Sequence, residues 1–532
     1  MEVKKAPIYH SVISFIKKEK KMKKVLKLSM SLFAILSLTG CTLTSVNSEE
    51  ESSNSSTSVQ TGSIITTDIK HFYLDKDKKT DISKYISITD EYGTSYVDKL
   101  VITSDEYMTI DGTFLTCSEV GEHDVKFTVQ LHDYESFGST YGIKVYNPYN
   151  VFAVNATMPP LFSLPTLVSD DTPSLVWLER TGTFDFDNLP TNVIASWEAS
   201  QSDAELCNST FTELLNKVKE IGTEDPYSRF TLYRDDVRSD LDLYMFLSQG
   251  ISEDRYEVKM VPDGSWSYNS AISSYTGADS YAAFEENKDA YLALVQSARD
   301  GELDASEAVY NGSTYYNSTI AMAQRDNFEY LLQYPEYIAS KDPGVQAEID
   351  SANITEAKPD VMYNSLTEDQ QEEFRTILSL DKDTYDSTYF TATNDKPYLI
   401  ITGTNPVTGS LTDEEFENVV DQIVAKYGDD YNFAFKPHPA AMLDSNTVIQ
   451  SYFADQNIVE LPGRLPMEAL TWVYNDYALG GFDSSLYMCV PTGNTKFFIC
   501  KDADSLSTVT KNLYDAGLYG DCDFFQPIET TD

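Results

Sequence analysis

The stretch from Tyr398 to Phe435 decides the fold class. It opens with the apolar run Tyr-Leu-Ile-Ile-Thr-Gly-Thr (398–404), continues with a helical pattern over Asp413–Tyr427, and returns to Tyr-Asn-Phe-Ala-Phe (431–435). A buried strand, a helix and a second buried strand in this order are typical of a βαβ unit with parallel strands. We therefore predict an α/β fold here.

The same alternation occurs upstream. Apolar strands are predicted at 174–178, 230–233 and 256–260, with helices over 211–221 and 241–247, and residues 280–390 have a mostly helical pattern. Two α/β halves joined by a helical segment predict two Rossmann-like lobes with a cleft between them. The first lobe with its helical connector is predicted at 149–390, and the second at 391–532.

Residues 63–148 have a different pattern of short alternating apolar segments separated by polar turns. Alternation of apolar and polar residues in such short segments predicts a small all-β sandwich that resembles an immunoglobulin-like module. Asn-Pro-Tyr-Asn at 147–150 predicts a turn at its boundary. Because no polar cluster in this module suggests chemistry, we expect a spacer or contact role, so that activity on a small soluble substrate survives deletion of 42–148.

Composition excludes two classes of protein. The 532 residues include 84 acidic and 39 basic side chains, so acids exceed bases by 84 − 39 = 45. This charge would repel a nucleic-acid backbone. With 41% hydrophobic and 12% aromatic residues, the chain also has too much apolar surface to be disordered.

Residues 1–41 have the form of a lipoprotein signal. Nine lysines precede or flank the apolar run 28–38, and Leu-Thr-Gly-Cys ends at Cys41. This ending resembles a bacterial lipobox, in which the cysteine takes a diacylglycerol, so we predict a lipid anchor on Cys41 and a location on the outer side of the cell membrane. A plain signal peptide or an uncleaved anchor is the alternative, and Met22 offers a second start. The polar residues 42–62 predict a disordered tether.

The five remaining cysteines, 117, 207, 489, 500 and 522, are scattered without CxxC spacing. They predict neither a disulfide framework nor a zinc site, so we interpret them as small core residues.

Three strand ends carry residues that suit chemistry, because ligands of parallel sheets bind beyond the carboxyl ends of the strands. Asp263 follows the strand 256–260 and precedes Gly264, so it could be a general base or simply part of an Asp-Gly turn. His438 stands between two prolines and close to Lys436, so it could act as a general acid or be an ordinary structural side chain. Ser484 and Ser485 open a helix that could bind phosphate, although Asp483 or Ser484 could equally be an ordinary cap.

Together these segments resemble the bacterial sialyltransferases of glycosyltransferase family 80. The resemblance spans about residues 173–505 in one order. Its motifs are Asp263-Gly264-Ser265 with Tyr268, Lys436-x-His438-Pro439, Pro466-Met-Glu468, and Gly480 with Ser484-Ser485-Leu-Tyr487, supported by 401–404 and 363–371.

The resemblance implies a GT-B fold, preceded in some members by an immunoglobulin-like domain. It also implies CMP-sialic acid as donor, a galactoside-type glycan acceptor, inversion at the anomeric carbon, and neither metal nor cofactor. Carried over to this sequence, the roles are Asp263 as the base, His438 on the departing phosphate, Glu468 on the ribose hydroxyls, Ser484 and Ser485 on the phosphate, and Lys436 with Pro439, Gly264 and Ser265 around the nucleotide sugar.

The sequence departs from the family at several positions. Pro262 replaces a usual acid, Pro437 replaces a usual glycine, and Arg234 to Arg238 stand where a histidine is usual on the acceptor side. The acceptor is therefore less defined than the donor. Several Asp-x-Asp triplets, the pattern of metal-dependent transferases, are expected by chance in so acidic a chain.

Two alternatives stay open at this point. The chain could transfer another CMP-activated acidic sugar. It could also be a surface glycan-binding lipoprotein on a transferase fold that has lost turnover, because CMP-sugars are made in the cytosol and a lipoprotein faces outward.

Overall fold

The computed structural model separates the chain into two units, Met1–Ser63 and Ile64–Asp532. All described residues belong to the second: 65–70, 72–90, 92–132, 135–155, 157–179, 184–200, 203–236, 241–274, 280–303, 318–438, 446–463 and 465–528. The predicted signal peptide, Cys41 and the tether 42–62 lie outside this part of the chain. No helix in the described ranges is long and apolar enough to cross a membrane.

The N-terminal module is built from strands, as its alternating pattern predicts. They are β1 (Ile65–Ile69), β2 (Tyr73–Asp75), β3 (Thr80–Asp81), β4 (Ile86–Asp90), β5 (Leu100–Thr103), β6 (Met108–Asp111), β7 (Phe114–Cys117), β8 (Gly121–His132) and β9 (Glu135–Val154). β1 pairs with β4, β3 and β6 flank β7, and β8 pairs with β5 and β9. These strands share a core of their own, centred on side chains such as Leu74, Val125 and Ile143. The immunoglobulin-like assignment stays a prediction.

The turn predicted at 147–150 is wrong, because β9 runs through these residues without interruption. Up to Tyr146, β9 pairs with β2 and β8, and from Asn150 onward it pairs with β10 (Ser174–Leu178). Pro148 lies between these two pairings, where its missing N–H removes no ladder hydrogen bond on that side. One strand therefore belongs to both the module and the first lobe.

The first lobe contains a parallel sheet whose strand order is that of a Rossmann fold with one added strand. Its further strands are β11 (Val193–Glu198), β12 (Ser228–Asp235), β13 (Tyr256–Val261), β14 (Phe328–Leu332) and β15 (Ile354–Glu356). The order across the sheet is β11-β10-β9-β12-β13-β14-β15, all parallel. β14 and β15 fall in the segment 280–390, which the sequence pattern assigns mainly to helices.

Helices connect these strands and link the lobes. They are α1 (Met158–Ser169), α2 (Ala204–Glu224), α3 (Leu241–Met245), α4 (Ser265–Ser274), α5 (Ser280–Arg299), α6 (Thr319–Ala323), α7 (Pro343–Asp350), α8 (Pro359–Asn364), α9 (Glu368–Ile377) and α10 (Lys382–Thr388). α1 is buried nearly all round, which suits its apolar sequence. The Met158 Sδ atom on α1 lies 3.6 Å from the Cys489 Sγ atom of the second lobe.

The second lobe repeats the same topology. Its elements are β16 (Tyr398–Thr402), α11 (Asp413–Tyr427), β17 (Asn432–Lys436), α12 (Thr447–Asp455), β18 (Val459–Glu460), α13 (Met467–Val473), β19 (Ala478–Gly481), β20 (Thr495–Ile499), α14 (Thr508–Asp515) and β21 (Asp523–Phe525). The sheet order is β18-β17-β16-β19-β20-β21. α11 begins where the sequence predicts, because Thr412 and Glu415 exchange capping hydrogen bonds with each other's backbone N–H.

Two hydrophobic cores support the lobes. One core fills the first lobe and continues along one face of the sheet in the second lobe, and it includes Trp177, Phe374 and Tyr487. The other covers the opposite face of the second sheet, around Phe416 and Phe435. Cys117, Cys207 and Cys489 are buried as expected, whereas Cys500 and Cys522 are half-buried, and none of these five forms a disulfide.

Candidate functional site

The loops that follow β13 and β19 meet each other, and this contact joins the two lobes. The Ser485 hydroxyl oxygen accepts a hydrogen bond from the Ser265 backbone nitrogen at 2.9 Å and lies 3.0 Å from the Ser265 hydroxyl oxygen. A Cβ atom on Gly264 would lie only 2.4 Å from that same Ser485 oxygen. We call Gly264, Ser265 and Ser485 the interlobe junction. It brings together three of the predicted site residues.

Asp263 lies in the short turn between β13 and α4. Its backbone N–H donates to the Ser267 hydroxyl oxygen at 2.9 Å and also faces the Asp236 Oδ1 atom at 3.3 Å. Gly264 has φ +108°, a conformation that favours glycine. The turn is therefore an Asp-Gly turn, as one interpretation of the sequence has it, and it also holds a half-buried carboxylate beside the second lobe.

Ser484 and Ser485 have different partners. The Ser484 hydroxyl oxygen accepts from the Leu486 backbone nitrogen at 3.2 Å, so Ser484 caps the short helical turn 485–488, as the alternative interpretation expects. Asp483 instead accepts from the Ser507 backbone nitrogen at 2.5 Å and the Thr510 hydroxyl at 2.6 Å at the start of α14. Phosphate binding by the two serines stays a prediction.

Lys436 is the last residue of β17 and is only 3% exposed. Its Nζ atom donates to the carbonyl oxygens of Pro437 and Gly463, each at 2.7 Å. Burial lowers the pKa of the Lys436 amine to about 7, although the charge of Glu468 acts in the opposite direction. A neutral amine has two N–H groups, and these two carbonyls would use both.

Glu468 lies in the first turn of α13 and is 8% exposed. Burial raises the pKa of its carboxyl group, and the Lys436 amine partly opposes this rise. Lys436 and Glu468 therefore share one low-dielectric region in the second lobe. His438 lies two residues beyond β17 and is half-buried, whereas Pro439 falls outside the described residues.

Tyr268, which the motif includes, supports the site from within the core. Its hydroxyl oxygen accepts from the backbone nitrogens of Gln333 at 3.0 Å and Tyr334 at 3.2 Å. The Tyr334 hydroxyl in turn donates to the Met488 carbonyl of the second lobe at 3.0 Å. A second polar link between the lobes therefore lies behind the junction.

The sequence reasoning missed Asp236, the residue directly after β12. Asp236 is 1% exposed, and burial raises its pKa to about 6, against hydrogen bonds from Tyr330 and Ser267 that lower it. The strand-end rule that selected Asp263 applies equally to the strand 230–233 and would have found Asp236. On the same strand Arg234 is buried and its Nε donates to the Asp235 carbonyl at 3.2 Å, while Arg238 lies outside the described residues.

In each of the Asp-x-Asp triplets 240–242 and 521–523, one carboxylate forms an ion pair within the protein. Asp242 is fully buried and pairs with Arg325, whose Nη1 atom lies 3.2 Å from the Asp242 Oδ2 atom. Asp523 pairs with Lys426 at 2.5 Å. These ion pairs explain the two carboxylates, and no bound metal ion is needed to explain them.

Three solved structures are similar to this chain. A sialyltransferase from Photobacterium damsela has 16% sequence identity, covers 85% of this chain and 98% of its own, and gives a TM-score of 0.54. An α/β-galactoside α-2,3-sialyltransferase from Photobacterium phosphoreum has 16% identity over 71% of this chain and 98% of its own, with a TM-score of 0.53. A 2,6-sialyltransferase from Photobacterium sp. JT-ISH-224, solved with CMP and lactose, has 15% identity over 86% and 96%, with a TM-score of 0.52.

These similarities decide the architecture. The fold is of the GT-B type. This confirms the predicted fold class, an α/β protein with two Rossmann-like lobes. No protein-family model matches the sequence, and the search of curated proteins found no match. The domain boundaries at 148 and 390 and the roles of the site residues stay predictions.

Proposed function

We propose that this protein is a sialyltransferase, which moves sialic acid from CMP-sialic acid to a galactoside-type glycan with inversion and without a metal ion. The observation that carries the proposal is the interlobe junction, where Gly264 and Ser265 of the first lobe contact Ser485 of the second. This contact sets the loop with the candidate base against the loop with the candidate phosphate ligands. The GT-B fold and its similarity to sialyltransferases, one of them solved with CMP and lactose, support the same function.

The acceptor side of the reaction belongs to Asp263. Its carboxylate takes the proton from the acceptor hydroxyl while that oxygen attacks the anomeric carbon of the sugar. The new carbon–oxygen bond forms as the bond to the CMP phosphate breaks on the opposite face, which inverts the configuration. The half-buried position of Asp263, in a turn fixed by Ser267, suits a base that must keep its orientation.

Most of the donor side belongs to the second lobe. His438 gives a proton to the departing phosphate, and Ser484, Ser485 and nearby backbone N–H groups hold its oxygens. Glu468 accepts hydrogen bonds from the ribose hydroxyls, and Lys436 supports the nucleotide side. The side chains of Ser265 and Pro439, with Gly264, line the sugar nucleotide. In this scheme the CMP phosphate leaves with its electron pair and receives the proton of His438.

The location is also part of the proposal. A lipid on Cys41 anchors the protein to the outer side of the cell membrane, so its partners are the donor, a surface glycan and the lipid bilayer. We retain the other CMP-activated acidic sugars as alternative donors, and glycan binding without turnover as the alternative function.

The test is release of CMP from CMP-sialic acid by the full-length protein, with and without lactose, in buffer containing EDTA. We expect CMP release in EDTA and a sialylated product when lactose is present. Release only with a different CMP-activated acidic sugar would change the donor, and lactose or glycan binding without any release would favour the non-catalytic alternative. Activity that EDTA abolishes and manganese restores would contradict the metal-free mechanism.

A further inference from the structure

A buried carboxylate, Asp236, lies against the turn that carries Asp263 and has no role in the mechanism above. It follows β12 directly, next to the point in the sheet where the strand order reverses. Only 1% of its surface is exposed. Burying a carboxylate costs considerable free energy unless hydrogen bonds compensate for the lost water. The partners of Asp236 therefore indicate its role.

The known partners of Asp236 lie in the segment that follows the neighbouring strand β13 and on β14, the next strand in the sheet. The Asp236 Oδ1 atom lies 3.3 Å from the Asp263 backbone nitrogen, after β13. The Ser267 hydroxyl on α4 hydrogen-bonds to Asp236 and itself accepts from the Asp263 nitrogen at 2.9 Å. The Tyr330 hydroxyl, on β14, donates to the Asp236 Oδ2 atom.

These contacts converge on one peptide group. The Asp263 N–H is shared between the Asp236 carboxylate and the Ser267 hydroxyl, and these two side chains also form a hydrogen bond with each other. Because Tyr330 holds the other oxygen of Asp236, the carboxylate cannot turn away from the loop without losing a buried hydrogen bond. The backbone of Asp263 is thereby tied to β12 and α4, while the next residue, Gly264, packs against Ser485 of the second lobe.

We propose that Asp236, oriented by Tyr330, is a positioning residue that fixes the Asp263 turn and so aims the catalytic carboxylate at the acceptor hydroxyl. This inference rests on the proposed function only in taking Asp263 as the base. A displacement of about 1 Å in a reacting group can cost on the order of 10²-fold in rate. Loss of the Asp236 carboxylate should therefore slow transfer with little effect on CMP binding, because the residues assigned to the ribose and the phosphate, Glu468, Ser484 and Ser485, lie in the second lobe.

The kinetic test compares Asp236→Asn and Tyr330→Phe with the wild-type protein. We expect the transfer kcat to fall on the order of 10²-fold in Asp236→Asn, and by a smaller factor in Tyr330→Phe. The Kd for CMP and the KM for CMP-sialic acid should stay within about twofold, which separates positioning from a general loss of structure. Tyr291→Phe is the matched control, because Tyr291 is equally buried in the same lobe but bonds to Arg325 at 2.6 Å instead. It should leave kcat unchanged.

A second measurement does not need activity. Hydrogen–deuterium exchange of the peptide 262–268 should become faster in Asp236→Asn and Tyr330→Phe, and stay at the wild-type rate in Tyr291→Phe. If Asp236→Asn fails to fold, as judged by circular dichroism, Tyr330→Phe decides the question alone.

The outcomes separate the two proposals. Unchanged exchange at 262–268 in the folded variants, or transfer within twofold of wild type, would overturn the role of Asp236. A wild-type protein that releases CMP from none of the CMP-sugars would refute the proposed function, while the exchange result would still show whether Asp236 holds the turn.

Discussion

The Ser485 hydroxyl oxygen lies 2.9 Å from the Ser265 backbone nitrogen, so a residue of the second lobe accepts a hydrogen bond from the first turn of α4. The adjacent Gly264 makes this approach possible, because it carries no Cβ and has φ +108°. The loop that bears the candidate base is thus in contact with the loop that bears the candidate phosphate ligands.

Gly264→Ala should destabilise the protein and lower its activity. The new methyl group would meet the Ser485 Oγ atom at 2.4 Å and the backbone would be strained at positive φ, a cost of about 1–3 kcal/mol. Adding Ser485→Gly should recover the steric part only. Gly301→Ala is the control, since Gly301 has φ +70° but nothing within 4 Å of its Cβ position. Equal losses of unfolding free energy in Gly264→Ala and Gly301→Ala would show that the lobes do not press on Gly264.

Asp263→Asn should separate the base from donor binding. General acid–base steps contribute roughly 10²–10⁴-fold, so transfer to lactose should slow within that range while the Kd for CMP stays nearly unchanged. His438→Ala should instead reduce both CMP release and CMP affinity. A loss of CMP affinity in Asp263→Asn as large as its loss of rate would contradict the assignment of the two groups to opposite sides of the reaction.

Sequence reasoning reached the parallel α/β lobes because their signals are local. The apolar run Tyr398–Thr402 is buried at every position, and the helix predicted at 413–427 has those bounds in the structure. Asp263 and the serine pair were found by the same logic, since the residues that follow buried parallel strands are known from the chain order alone.

The parts that sequence reasoning missed depend on contacts between distant segments. Pro148 suggested a turn, and only the change of partners along β9 explains why a strand tolerates it there. β14 and β15 are short strands at the far side of the sheet, with a pattern too brief to outweigh the helices around them. The contact of Gly264 with Ser485 joins residues more than 200 positions apart, which no local pattern contains.

Lys436 should make stability depend on pH. Its pKa falls from 10.5 in the unfolded chain to about 7 in the fold, mainly through burial. Between these values the unfolded chain binds a proton that the folded chain lacks, so this residue makes stability rise as the pH increases from about 7 to 10.5. Below about pH 7 the full cost of burying the charged amine applies.

Lys436→Met removes this titration and serves as the test. Relative to wild type, we expect the variant to gain most in Tm at pH 6.5 and to lose that advantage progressively by pH 9.5, at constant ionic strength. Tm curves of the two proteins that run parallel across this range would contradict a depressed pKa for Lys436.

Trp266→Ala should weaken acceptor binding. Trp266 is 57% exposed, in contrast to Trp177 and Trp472, and it stands in the first turn of α4, three residues after Asp263. On the same helix Ser267 and Tyr268 are buried, so Trp266 lies on a more exposed side of α4. Covering roughly 50 Å² of apolar surface between the ring and the sugar contributes about 1 kcal/mol, so the KM for lactose should rise up to about tenfold. Trp266→Phe should keep most of the affinity, and an unchanged KM in Trp266→Ala would remove the residue from the acceptor site.

The N-terminal module should be required for the stability of the first lobe, contrary to the expectation that it is only a spacer. Arg229 on β12 is 5% exposed, and it has partners in both the N-terminal module and the first lobe. Its Nη2 atom lies 2.8 Å from the Glu257 Oε2 atom and also contacts the Tyr73 hydroxyl of the module, and its guanidinium lies 3.5 Å from the centre of the Tyr73 ring. Residues 147 and 148 of β9 also pair with β12.

Deletion of 42–148 would cut β9 within its pairing to β12 and remove Tyr73 from a buried arginine. Breaking a buried charged network in this way costs about 3–5 kcal/mol, so we expect a markedly lower Tm and loss of transfer even to lactose. Deletion of 42–62 is the control and should change neither, because these residues precede the module. Tyr73→Phe in the full-length protein isolates the hydroxyl contact and should lower the Tm without changing kcat. If the 42–148 deletion kept the Tm and the lactose activity of wild type, the shared strand would have no structural importance, and the module would be a spacer after all.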